Sequence, residues 1–354
     1  MPPSNTTKRT LIVLGVLVCF AAATGAGLYF YYGGRGIGSE IGTGQAPGVL
    51  SELPSDAPVV AYLDVAALKK LQTSPIAAIL GLAGASPTED REYLQFVNDT
   101  GFDYTHDLNT VAIAVWPGDF GTASKGSTEN RVLAIADGRF DQQKIKAYAL
   151  RTGKVVMQGT GPIYDVPGDP AVSFRFLSPA QISIASGANA MDLADVTGSH
   201  GNSSSLQAGV ERVAGAPIFA VARTNSLPNS FYLNFHSSPQ LERLARSVQN
   251  LTLAGQPDGD QILATLDARC DSTQNAFELA TLLDGARIIG AMALSDPKTR
   301  RQMTQEQFAF LNALIGDAKI SHQDTWVRLK VGITPEMLGE TSSPSPTSTP
   351  ASPK

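Results

Sequence analysis

From residue 53 onward, short apolar runs alternate with longer mixed segments, a pattern of strands and helices within one body. Residues 59–63 (Val-Val-Ala-Tyr-Leu) form a continuous apolar run suited to a strand buried on both faces. Residues 65–82 and 89–98 read as helices, broken near Ser86-Pro87. Residues 111–116 and 131–136 read as strands joined by a polar, Gly-rich loop at 117–130. Asp141 then caps a helix over 142–151, and 172–176 with 182–185 make a hairpin. Later, 251–254 and 262–266 flank Gln256-Pro257-Asp258-Gly259, a turn sequence with Gly available for positive φ. Residues 272–294 predict a long, mostly apolar helix, followed by one over 304–314. Residues 319–322 and 326–331 predict the last hairpin. A strand–helix–strand–strand–helix–strand order in each half predicts an α+β fold of two embellished ferredoxin-like halves.

The halves also resemble each other in sequence. Ala57-Pro58-Val59-Val60-Ala61 returns as Ala216-Pro217-Ile218-Phe219-Ala220, and residues 133–141 match 263–271. A weaker match pairs 182–187 with 327–332. The order is the same in both halves, which predicts a duplication with repeats at 53–205 and 206–340. The polar stretch at 198–205 marks the join.

Ahead of this body, Lys8 and Arg9 precede an uncharged run over residues 10–32. As a helix it would be roughly 34 Å long, enough for a hydrocarbon core of about 30 Å. Tyr29, Phe30, Tyr31 and Tyr32 close the run as an interfacial aromatic belt does. The rival is a cleaved signal peptide, with 11–22 as its apolar region. Cleavage there would leave an aromatic stretch at the start of the mature chain, which favours the uncleaved anchor. Val18 before Cys19 does not fit a lipoprotein signal, which wants a small residue there. Basic residues on the short side predict residues 1–9 in the cytoplasm and the body outside it, periplasmic in a diderm. The lipid bilayer is thus the first expected partner. Residues 33–52 form a Gly-rich linker, in which Gly36-Ile37-Gly38 lacks the preceding strand of a dinucleotide fingerprint. Residues 341–354 form a Ser/Thr/Pro tail with no composition for a core.

The 354 residues carry a net charge of −5, an acidic balance that argues against a nucleic-acid partner. The two cysteines, Cys19 and Cys270, fall in the anchor and the exported body. They cannot pair with each other, so the body relies on its core rather than on a disulfide.

The pieces Leu53-Pro54-Ser55-Asp56-Ala57-Pro58, Thr100-Gly101-Phe102-Asp103 and Asp137-Gly138-Arg139-Phe140-Asp141 resemble those of bacterial single-pass envelope proteins. So does the ending over 318–338. The resemblance implies a membrane anchor and a large exported α+β body, and it brings no functional residue with it.

Motifs that carry chemistry are few. There is no HExxH, CxxC, GxSxG or GxxxxGK[ST]. Ser295-Asp296-Pro297-Lys298 fits SxxK in form, but Ser295 as an N-cap with Pro297 in the first turn explains it better. His106, His200, His236 and His322 lie far apart. Asp99, Asp103 and Asp107 fall at four-residue steps without the alternation of a calcium loop. No metal or cofactor is expected.

The one repeated polar constellation is Asp137-x-Arg139-x-Asp141 and Asp267-x-Arg269-x-Asp271. Strand alternation would put each triplet on one face, as a polar interaction corner or a charge ladder whose last Asp caps the next helix. The sequence thus predicts a non-enzymatic, membrane-anchored interaction or sensing module with an envelope protein partner. Two alternatives stay open: an exported hydrolase with a site assembled from dispersed residues, and an apolar-ligand carrier built on the helix at 272–294.

Overall fold

The computed structural model describes residues 48–70, 91–118, 130–151, 153–159, 161–167, 171–187, 189–195, 204–227, 239–259, 261–301 and 305–333. The proposed anchor at 10–32 and the tail at 341–354 lie outside them. Among the described residues, no helix is long and apolar enough to cross a membrane.

A single twelve-stranded sheet organises the chain. Its strands are β1 (Val59–Asp64), β2 (Leu108–Trp116), β3 (Arg131–Gly138), β4 (Lys154–Gln158), β5 (Gly161–Val166) and β6 (Val172–Ser178). They continue as β7 (Gln181–Ser186), β8 (Ile218–Arg223), β9 (Val248–Asp258), β10 (Gln261–Cys270), β11 (Lys319–Gln323) and β12 (Trp326–Ile333). The order across the sheet is β11-β12-β10-β9-β8-β1-β2-β3-β7-β6-β5-β4, and the pairings are antiparallel.

This arrangement corrects the ferredoxin-like expectation. That pattern needs parallel strands joined through a crossover helix. Here β2 lies beside β1 and antiparallel to it, with Asp64 opposite Thr110. One contact across the strand ends goes with this return. Helix α1 (Val65–Lys69) ends with Lys69, whose ammonium donates to the Leu108 carbonyl at 2.7 Å. The chain re-enters the sheet at the end where it left.

Helices cover both faces. One face carries α5 (Ala190–Asp195), α6 (Ser204–Val213) and the 3-10 turn Gly48–Glu52. Leu50, Leu193, Leu206 and Val210 from these pack on Val60, Leu133, Ile135 and Phe219. The other face carries α1 and α4 (Gln142–Leu150) over Leu63, Ile113, Ala134 and Ile182. Farther along that face, Ala276 and Ala280 of α8 (Thr273–Ser295) pack on Ala268, Cys270 and Val327. The remaining helices are α2 (Arg91–Thr100), α3 (Tyr104–Asp107), α7 (Pro239–Ser247), α9 (Pro297–Arg301) and α10 (Gln305–Asp317). Two expectations about the elements change. Helix α6 begins at Ser204, inside the stretch read as a polar join, because Leu206, Val210 and Val213 recur at helical spacing. Strands β4 and β5 occupy a segment to which the sequence reading gave no element.

Outward from the central β1–β8 pair, strands run β1-β2-β3-β7-β6-β5-β4 on one side and β8-β9-β10-β12-β11 on the other, so the first arm carries two further strands, β5 and β4, at its edge. At the centre one hydrogen bond is made twice. Asp64 N donates to Pro217 O at 2.7 Å, and Arg223 N donates to Pro58 O at 2.8 Å. The registers then diverge. Tyr62 lies in a row with Ala112, Ile135 and Ser183, and Val221 in a row with Thr252, Asp267 and Arg328. The sequence match pairs Ile135 with Thr265, so the two rows are offset by two residues. A two-residue slip keeps every side chain on its own face, and the apolar pattern cannot detect it.

Candidate functional site

The two Asp-x-Arg-x-Asp corners have different environments. In the first, Asp137 on β3 accepts from the Thr110 hydroxyl at 2.9 Å and from the Gln181 amide at 3.1 Å. Arg139 turns away to pair with Asp107 at 2.8 Å. Asp141 caps α4, accepting from Lys144 N at 3.1 Å. That amide bond holds the Asp141 carboxyl below the usual carboxylate range. The Asp137 charge, with burial and Asp64, helps push the Tyr62 hydroxyl up to about 12, burial being the largest cause.

In the second corner, the expected pairing of Asp267 with Arg269 is replaced. Asp267 is 0% exposed and lies between two arginines from other elements. Arg328 on β12 donates through Nε to Oδ1 and through Nη2 to Oδ2, both at 2.7 Å. Arg212 on α6 donates through Nε to Oδ2 at 2.7 Å. The Arg212 guanidinium also stands 4.5 Å from the Trp326 ring centre. Burying a carboxylate is costly unless its lone pairs are filled, and three charge-assisted bonds fill them. With both oxygens occupied by donors, Asp267 serves as a clamp between α6 and the sheet rather than as a base. The cap expected of Asp271 belongs instead to Ser272, whose hydroxyl accepts from Asn275 N at 3.2 Å. Asp271 accepts from the Asn275 side chain at 2.7 Å.

Arg212 and Arg328 are the residues that sequence reasoning missed. Arg328 sits in an alternating strand where a polar residue signals only the opposite face, and Arg212 ends a helix the sequence reading did not contain. The two-residue register offset placed the partner of Asp267 out of reach of the repeat match.

The other candidates disperse. Asp99 pairs with Arg151 at 2.6 Å, Asp103 with His106 at 2.9 Å and Asp107 with Arg139. Each of the three carboxylates thus has a basic partner of its own. His322 stacks edge-on against Phe277, 5.5 Å between centres. His200 and His236 lie outside the described residues. Among the described residues, no three His, Cys, Asp or Glu converge on a metal-sized site. Ser295 is the last residue of α8 rather than an N-cap, and its hydroxyl donates to Ala291 O at 2.9 Å. Cys270 is buried, and burial pushes its thiol up.

The exposed surface has its own feature. Helix α8 turns large apolar side chains to solvent: Phe277 is 50% exposed, Ile289 65% and Met292 62%, with Ile288 beside them. Helical spacing sets Phe277, Thr281, Ile288 and Met292 on one side, about a third of a turn from Ala276, Ala280 and Leu294, which are buried. At the free edge of the sheet, β4 exposes Val155 and Met157.

The chain matches no protein family and no curated protein. Among solved structures it is similar to crystal form IV of TP0453, with a TM-score of 0.43 and 12% identity over 83% of this chain and 95% of that one. Crystal form III of TP0453 gives a TM-score of 0.42 and 12% identity, over 82% and 95%.

Proposed function

We propose that this chain is a non-enzymatic, membrane-anchored envelope protein whose body is an extracytoplasmic interaction module. Residues 10–32 hold it in the bilayer with residues 1–9 in the cytoplasm. The body consists of two repeats, 53–205 and 206–340, joined at the β1–β8 pair. The strand order read outward from that pair and the doubled Pro58 and Pro217 hydrogen bonds support the duplication.

One observation carries the interaction reading: the solvent-facing apolar side of α8, with Phe277, Ile288, Ile289 and Met292. A soluble body with a sheet of this size has core enough to hide such residues. Exposing several on one helix side marks a surface that is covered in use. The test is a photo-crosslinking side chain at position 289 of the full chain in its native envelope, with position 157 as the comparison. Adducts confined to position 289 are expected. Absence of any adduct there, in folded protein, would overturn the reading.

A further inference from the structure

We infer that the apolar side of α8 docks on an anionic lipid surface, laying the body against the bilayer that holds the anchor. The inference rests on the interaction reading above and names its partner. Three features meet on this element. The first is the uncharged side itself. From Gly285 to Leu294 the only charged residue is Arg287, and Ile288, Ile289, Ala291, Met292 and Ala293 are all exposed. The helix is too weakly apolar to span a membrane, yet it offers a side that can sink into the interface.

The second feature is charge. Helix α9 starts two residues after α8 ends and carries Lys298, Arg300 and Arg301 in its five residues. Arg300 and Arg301 are exposed, and Arg300 leans on the Phe308 ring 4.6 Å away. The acidic groups near the stripe are largely engaged. Asp284 pairs with Arg287 at 2.9 Å, and Glu278 pairs with Arg243. With Asp296 counted, the segment from 296 to 301 keeps a net charge of +2 in a chain whose total is −5. A basic cluster at the end of an exposed apolar helix is the pattern that combines insertion with headgroup attraction. A protein groove would call for a stripe with a shaped rim, and a second copy with its α8 parallel to the first would bring two like-charged clusters together.

The third feature is reach. Between residue 32 and the first described residue, Gly48, lie 15 residues. Fully extended, they span at most about 50 Å. A body held that close meets the surface at high effective concentration, so even a modest patch suffices.

The test uses the full chain carrying C19S, with an environment-sensitive fluorophore on I289C and, in a second sample, on M157C. It is reconstituted in vesicles of phosphatidylcholine alone or of equal parts phosphatidylcholine and phosphatidylglycerol. A blue shift at 289 and quenching by brominated acyl chains are expected in the anionic vesicles, with position 157 remaining in water. The triple change K298Q/R300Q/R301Q should weaken the response by about fivefold per basic residue. High salt should weaken it as well. A label at 289 that stays in water overturns the inference. So does burial that depends on protein density and not on lipid charge, which would show a second copy. So does burial that appears only when envelope proteins are added.

Flotation of I288S/I289S/M292S, with its melting temperature as the folding check, separates the two readings. If it floats like the parent, the anchor holds and the fluorophore alone decides the stripe. If the parent floats and the variant does not, the stripe binds lipid and the anchor reading fails.

Discussion

Asp267 and Arg328 face each other across β10 and β12, joined by two hydrogen bonds of 2.7 Å, and Arg212 closes the same carboxylate from α6 at 2.7 Å. This clamp links a helix of one face to the outer half of the sheet. Asp137, which the sequence match aligns with it, is held by a Thr and a Gln, neither of them charged. The difference follows from depth. Asp137 lies in the row of Asp64, at the end of β1, whereas Asp267 lies in the row of Val221, inside β8. The inner position removes water, and the Arg212 and Arg328 guanidinium groups offset that loss.

The two aspartates should therefore differ in stability cost. Asp267→Ala leaves two arginines facing a buried site, and a loss of about 3 kcal/mol is expected. Asp137→Ala removes two hydrogen bonds from neutral partners, for roughly 1–2 kcal/mol. Urea denaturation of both variants checks the order; equal losses would refute the role of depth.

At the start of α8, Ser272→Ala should cost about 1 kcal/mol, the usual value of a lost N-cap. Asp271→Ala should cost less, since Asp271 bonds a side chain rather than an orphan amide. The reverse order in thermal melts would return the cap to Asp271.

Gly209 lets α6 approach the sheet. A Cβ there would meet Val221 Cγ1 at 2.5 Å and Thr252 Cγ2 at 3.1 Å. Gly209→Ala gains up to about 1 kcal/mol of helix propensity and loses roughly 1–3 kcal/mol to overpacking against a stiff β-branched neighbour. A net loss is expected, because the helix must move away and draw Arg212 from Asp267. A stabilised variant would contradict this packing.

The lowered Asp141 carboxyl gives a signed pH dependence. Its folded value lies below its unfolded one, so its contribution is complete above about pH 4 and fades as pH falls through the folded value. Compared with Asp141→Asn, the parent should lose melting temperature faster on acidification below about pH 4. Parallel acid limbs in the two proteins would show that the Lys144 amide bond does not bias the titration.

Cys270 should resist thiol reagents in the folded protein at neutral pH. It is buried, and burial raises its thiol above the ordinary range. Modification at the rate of a free peptide cysteine would mean that the α8 contact opens freely.

What the sequence determined by itself was local. Continuous apolar runs placed β1 and β3, and Gly259 marked the end of the β9–β10 hairpin with its positive φ of 64°. Asp141 announced its cap, and the apolar length of α8 was visible as composition. These features depend on neighbours a few residues apart, where side-chain period and turn chemistry act. Tertiary structure alone decided the rest. Nothing local required β2 to return antiparallel to β1; the Lys69 bond to Leu108 across the strand ends goes with that choice. The two-residue register offset is silent in an apolar pattern of period two, yet it moves Asp267 one pair inward and gives it Arg212 and Arg328. The exposed side of α8 was equally hidden. An apolar helix reads the same whether its outer side is covered or bare, and only the sheet, by taking Ala276 and Ala280, left Ile289 and Met292 facing water.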